Sequence, residues 1–149
     1  MKNIFDHFLM GEYVYTHSML PVCKKHHINF TELTIIMFLF NNPSLDTASD
    51  IVKCRNIAKS HVSVSVRSLE QRGLITKMYQ NGNRKSVHLK LTKLASQIVN
   101  DGRSAQNHFM ELIFDGVTEN EKSTISKIFQ KIDHNLRIYT KGGNKINEK

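Results

Sequence analysis

The sequence predicts a mainly α fold with one small β-hairpin, an α+β arrangement, and three features carry that expectation. Helix-start signals recur at Asn29-Phe-Thr-Glu32, Thr47-Ala-Ser-Asp50 and Thr118-Glu-Asn-Glu121. In each, a short polar side chain and an acidic residue three positions on can bond each other's backbone amide. Apolar residues return at helical spacings in the segments that follow. One pair of alternating segments, 74–79 and 86–91, flanks the polar loop Gln80-Asn-Gly-Asn-Arg-Lys85, which is the pattern of a hairpin.

Taken in order, residues 3–27 read as a helix with Ile4, Phe8, Val14 and Tyr15 roughly on one side. Pro21 lacks an N–H and crowds the preceding turn, so it is expected to kink or restart this helix. The helix after Asn29 is strongly apolar and stops at Asn41-Asn42-Pro43. A short helix follows Thr47 and ends near Cys54. Asn56, a residue type that tolerates left-handed backbone, occupies the next turn. From Lys59 to Arg72 two periods compete. Val62, Val64 and Val66 alternate with serines, as in a strand. Val62, Val66 and Leu69 also share one helical face, and Glu70-Gln-Arg72 followed by Gly73 decides for a helix with a glycine terminator. After the hairpin, Thr92 starts a long helix to about Phe114, loosened by Gly102. The last helix carries the stripe Ile125, Ile128, Phe129, Ile132, Leu136 and Tyr139, and residues 140–149 form a polar, frayed tail. Helix, turn, helix, strand, basic tip and strand, in that order over about 30–92, is the layout of a winged helix-turn-helix.

Composition bounds the function. With 149 residues and 40% apolar content, the chain suits one domain, or one domain with dimerisation arms. No run approaches the ~20 apolar residues that span a bilayer, and Met1-Lys-Asn-Ile-Phe-Asp has no signal-peptide pattern. Two cysteines are no disulfide framework, so a reducing cytoplasm is the simplest home. The net charge of +8 is concentrated: ten Lys/Arg against Glu70 alone give residues 51–93 a charge of +9. A solvated surface would scatter that charge, whereas concentration is the footprint of a polyanion binder.

Ser68-Leu-Glu-Gln-Arg-Gly-Leu-Ile-Thr-Lys77 and Asn83-Arg-Lys-Ser-Val-His-Leu-Lys-Leu-Thr92 resemble the corresponding runs of the MarR family of bacterial transcription regulators. That family usually shows Leu-Glu-x-x-Gly-Leu-Ile, then an Asp-x-Arg wing ending in Leu-Thr. Phe114-Asp-Gly-Val-Thr-Glu-Asn-Glu121 is similar to the family's turn into its last helix. The resemblance covers about Asn29 to Leu136. It implies a homodimer, with about 1–28 and 93–139 interlocking and two winged parts below. The chain departs from the pattern at Asn83 and Lys85 in the wing, and at Val52, Arg55 and Ala95 elsewhere.

On that layout double-stranded DNA is the expected partner. Lys59, Ser60, His61, Ser63, Val64 and Arg67 lie off the Val62/Val66/Leu69 face and would meet the major groove. Serines donate to phosphate or to base edges, Arg67 can fork onto guanine or clamp phosphate, and Val64 offers apolar contact to a thymine methyl. Arg84 and Lys85 on the wing would flank a minor groove. The bland alternative for each is a solvated helix or turn. The resemblance also implies release by a small aromatic or phenolic effector, or in some members by oxidant or zinc. Cys23 beside Lys24, Lys25, His26 and His27 is the redox candidate, because neighbouring cations lower a thiol pKa; the alternative is an inert packing cysteine. Cys23, His26 and His27, with distant His108, make too sparse a set to assign a metal site, and no cofactor is expected. No Ser/His/Asp order, phosphate loop or paired carboxylates stands in a credible frame, which argues against an enzyme. A weakly specific architectural DNA binder remains the runner-up to a ligand-responsive repressor. A protein-interaction winged helix would not need +9 in one segment.

Overall fold

A computed structural model of the chain describes residues 3–80 and 83–141; for residues 4, 80, 83–86, 140 and 141 it describes the backbone alone. The polar tail expected over 140–149 lies outside the described side chains. Among the described residues the chain runs through six α-helices and one hairpin: α1 (Ile4–His26), α2 (Phe30–Asn41), α3 (Ala48–Arg55), α4 (Lys59–Gln71), β1 (Ile75–Gln80), β2 (Asn83–Leu91), α5 (Ser96–Ile113, entered through a 3₁₀ turn at Lys93–Ala95) and α6 (Glu119–Lys141). The mainly α fold with a hairpin wing is therefore present. The chain forms two compact units, Met1–Met110 and Glu111–Lys149, with α6 in the second.

The core of the first unit is built on α2. Its capping box is complete: the Asn29 side chain accepts from the Glu32 amide at 2.8 Å, and the Glu32 carboxylate accepts from the Asn29 amide at 2.9 Å. Behind that start, Leu33 and every residue from Ile35 to Leu39 are buried. Met19 and Val22 of α1, Ile51 of α3, Val62, Val66 and Leu69 of α4, Ile75 and Leu89 of the hairpin, and Ile98 and Val99 of α5 close around it. Each large side chain fully removed from water contributes about 1.5–3 kcal/mol.

Three local expectations are corrected. Pro21 does not restart α1, which runs unbroken from Ile4 to His26. The proline leaves the His17 carbonyl without its partner four residues on, but both residues are exposed, so water can take that bond. Second, the inward side of α1 is Tyr15, Met19, Val22 and Cys23, whereas Phe8 is 51% exposed. Third, Gly102 does not loosen α5. It is buried, and a Cβ built there would collide with the Met37 sulfur; the glycine lets α5 lie close on α2.

The β1–β2 register pairs Ile75 with Leu91 and Tyr79 with Val87, and becomes irregular between Tyr79 and Gln80. Thr92 closes the base of this wing, its hydroxyl donating to the Gly73 carbonyl at 2.6 Å and its amide to the Leu74 carbonyl at 3.0 Å. The wing is also tied to the entry of α3. The Leu89 amide donates to the Asp46 carbonyl at 2.7 Å, and His88 Nδ1 lies 2.6 Å from the Asp46 carboxylate.

Candidate nucleic-acid interface

The helix-turn-helix is α3, the turn 56–58 and α4. Thr47 and Asp50 form the capping box of α3, and Asn56 ends it in the left-handed region at φ 50°. An Asn does this at lower cost than most side chains, because it is short and polar. The chain then restarts at once as α4.

Alternation and helical period compete in α4, and packing decides. Val62, Val66 and Leu69 are at most 5% exposed, while Val64, the third member of the alternating set, is 68% exposed. A single apolar face has been satisfied at spacings of four and three, and the strand-like set has been split. Ser65 is buried beside that face. Gly73 supplies the left-handed exit at φ 67°, a conformation a Cβ would strain.

The structure places Lys59, Ser60, His61, Ser63, Val64 and Arg67 together on the exposed side of α4. The wing-tip candidates Arg84 and Lys85 fall on the strand β2, with side chains outside the described residues. Unlike α2 and α3, α4 starts without a side-chain cap at Ala58. Its first-turn amides are thus left to water or to an anion such as a phosphate. Cations in this region divide into two groups. Lys77 pairs with Glu70 at 2.5 Å, Arg55 lies over the Phe38 ring at 5.3 Å, and Arg72 bonds the end of α1. Lys53, Lys59 and Arg67 instead are exposed and, with Lys77, rim a cleft of about 390 Å³ between α3, α4 and the wing, floored by Val62 and Val87. Sequence reasoning missed Lys53 as part of this surface. Its place in the last turn of α3, adjoining the turn, was the available signal.

Of the two readings of Cys23, the packing cysteine fits its surroundings better. It is only 7% exposed, and burial pushes its thiol pKa up, with the Glu32 carboxylate adding to the rise. The neighbouring cations have their own partners: Lys25 and His26 both bond Asp101, at 2.7 and 2.6 Å. They hold that carboxyl down to about 2, Lys25 contributing most. The premise of a cation-activated thiol is lost. Among the described residues no three His, Cys, Asp or Glu side chains converge as a metal site, and no helix is long and apolar enough to cross a membrane.

A second cleft, of about 350 Å³, opens between α1, α2, the end of α3 and α5. Tyr15, Phe30, Thr34, Arg55 and Gln106 are among its walls, and Gln106 donates to the Tyr15 hydroxyl at 2.9 Å.

Comparison with known proteins agrees with this geometry. A model of the MarR family matches residues 27–80, the segment from the end of α1 through β1. An HTH-type transcriptional regulator of Bacillus subtilis (strain 168), YwhA, is 23% identical over 130 residues, covering 87% of this chain and 93% of that one. A MarR family regulator from Listeria monocytogenes, solved with a 26mer DNA, superposes with a TM-score of 0.77 at 20% identity, covering 99% of this chain and all of that one. NadR, solved with 4-hydroxyphenylacetate, superposes with a TM-score of 0.74 at 16% identity over 89% of this chain and 93% of its own. With the winged helix-turn-helix built as described and its residues 27–80 matched by the family model, the chain is similar in sequence over that segment, and in fold over most of its length, to MarR family transcription regulators.

Proposed function

We propose that this protein works as a homodimeric repressor that sets α4 of each protomer into the major groove, with the wing at the flanking minor groove. The observation that carries this reading is the separation of faces on α4. Val62, Val66 and Leu69 are committed to the core, and the exposed side presents Lys59, Ser60, His61, Ser63, Val64 and Arg67 without an acidic residue among them. Ser63 and Arg67 are placed for base edges, Lys59 and the uncapped helix start for phosphate. Arg84 and Lys85, whose backbone belongs to β2, are the wing's cations on this reading. The dimer reading rests on the exposed apolar residues of α1 (Phe5, Phe8, Leu9, Met10, Tyr13) and α6 (Ile128, Phe129, Leu136); water-exposed patches of that kind mark association surfaces. On the same reading about 30–92 is the DNA-binding part, and about 1–28 with 93–139 the dimerisation part.

Release by a small aromatic or phenolic acid is supported by the cleft at Tyr15, Phe30 and Arg55, which offers two rings and a guanidinium. The solved complex of NadR with 4-hydroxyphenylacetate shows a protein of this fold with such a ligand.

Footprinting on DNA upstream of the protein's own gene tests the reading. The expected result is a protected pseudo-palindrome with half-sites about one helical turn apart. Phenolic acids should release it, and peroxide or zinc should leave it bound. Arg84→Ala with Lys85→Ala should weaken binding and flatten the slope of log affinity against log salt by roughly two units per protomer, up to about four for the dimer. A weakly specific architectural binder would instead show nearly equal affinity for the protected site and for random DNA.

A further inference from the structure

The guanidinium of Arg72 has a role that the DNA-facing surface of α4 does not use. Arg72 is the C-cap of α4. Its two terminal nitrogens donate to the last carbonyls of α1, Nη1 to His27 at 3.0 Å and Nη2 to His26 at 2.9 Å. These carbonyls end a helix whose last-turn acceptors have no partner further along, and they carry the negative end of its dipole. A planar fork fits two such acceptors and fixes direction as well as distance. The same turn of α1 is gripped from another side. Lys25 and His26 both bond the Asp101 carboxylate of α5, at 2.7 and 2.6 Å, and Gln97 steadies the other carboxylate oxygen at 3.2 Å. One turn of α1 thus joins the far end of the recognition helix to α5.

We infer that Arg72 is a positioning residue for DNA recognition: by strapping the C-terminal end of α4 to the α1–α5 junction, it sets the angle at which the reading end is presented, and so the half-site spacing the regulator accepts. The inference rests on the dimeric, two-half-site reading given above. The leverage is large. A helix of 13 residues is ~20 Å long. A tilt of about 10° at the strapped end therefore moves the reading end by ~3.4 Å, the rise of one base pair. Core contacts at Val62, Val66 and Leu69 hold α4 to α2, but the polar strap is what ties α4 to the end of α1.

The test is a series of operators in which the spacer between half-sites is changed by one or two base pairs either way. Affinities are measured for the full-length wild type and for Arg72→Ala, Arg72→Gln, Arg72→Lys and Asp101→Asn, with thermal melts to confirm folding. Arg103→Ala serves as control, because Arg103 is an α5 arginine held over the Phe40 ring and bonds no helix end. Wild type and control are expected to lose about tenfold or more per base pair of spacer error, a penalty comparable to a mismatched base pair. Arg72→Ala and Arg72→Gln should lose under about threefold, a flattened profile, with Arg72→Lys and Asp101→Asn between. A uniform loss of affinity with an unchanged profile would make Arg72 merely structural and overturn the inference. So would a control that flattens as much as Arg72→Ala. A wild type with no spacing optimum would refute the two-half-site reading itself, and the inference with it.

Discussion

The two halves of α1 are both apolar, yet only one is buried by its own chain. In the C-terminal half Met19, Val22 and Cys23 are at most 7% exposed, packed with α2. In the N-terminal half Phe5, Phe8, Leu9, Met10 and Tyr13 are each more than half exposed. Sequence periodicity reports only that a face is apolar. The topology decides whether the chain itself has anything to lay against that face. The contrast divides α1 into a part that makes the protomer and a part that, under the proposed function, makes the dimer.

Substitutions can break that division, and the largest effect is expected in the core that the C-terminal half of α1 covers. Phe38, 1% exposed, should cost about 3–5 kcal/mol on change to alanine. Urea unfolding should show this loss at every protein concentration. Phe8→Asp with Leu9→Asp targets the other half. It should yield monomers in sedimentation and weaken operator binding by about 100-fold through lost bivalency, with the protomer still folded. A variant that stays dimeric would place the seam elsewhere.

A smaller effect tests how closely the buried part is packed. Gly102→Ala puts a methyl group against Met37. Overpacking costs about 1–3 kcal/mol and the gain in helix propensity returns about 1 kcal/mol. A net loss of roughly 1 kcal/mol is expected in thermal melts, and a gain in stability would show that Met37 yields freely. The smallest effect concerns the end of α1. The Asp101 carboxyl, held at about 2 by Lys25 and His26, lies below its ordinary value of 3.8. A depressed carboxyl contributes stability above its ordinary pKa and loses it as pH falls through the folded value. The melting-temperature gap between wild type and Asp101→Asn should be steady near neutrality and close between about pH 4 and pH 2. A gap that persists at the acid end would assign it to something other than this ion pair.

Much of the fold was legible because local signals agreed with one another. All three capping boxes, at Asn29, Thr47 and Thr118, and the glycine exit at Gly73 are where the sequence puts them. The candidate surface was legible in α4 for a related reason: once Val62, Val66 and Leu69 are assigned to the core, the geometry of a helix places the rest. Long-range facts were not legible. Pro21 was tolerated because the carbonyl it orphans faces water, and Gly102 proved a contact glycine because α2 lies against it. The choice between the two readings of Cys23 was not legible either, because Lys25 and His26, its neighbours in sequence, bond Asp101, 75 positions on from His26, while the thiol itself is buried. Charge counting had the same weakness. It weighed all ten cations of 51–93 alike, although Arg55, Arg72 and Lys77 are engaged within the protomer.

The buried Cys23 and the exposed Cys54 together give the protein an internal clock. A thiol reagent meets Cys54 directly, so its labelling reports the reagent. Cys23 sits between α1 and α2, and labelling there waits for those helices to part. The ratio of the two rates measures how often the junction breathes, in the manner of amide exchange. A second protomer that tightens α1 on its scaffold should slow Cys23 and leave Cys54 unchanged.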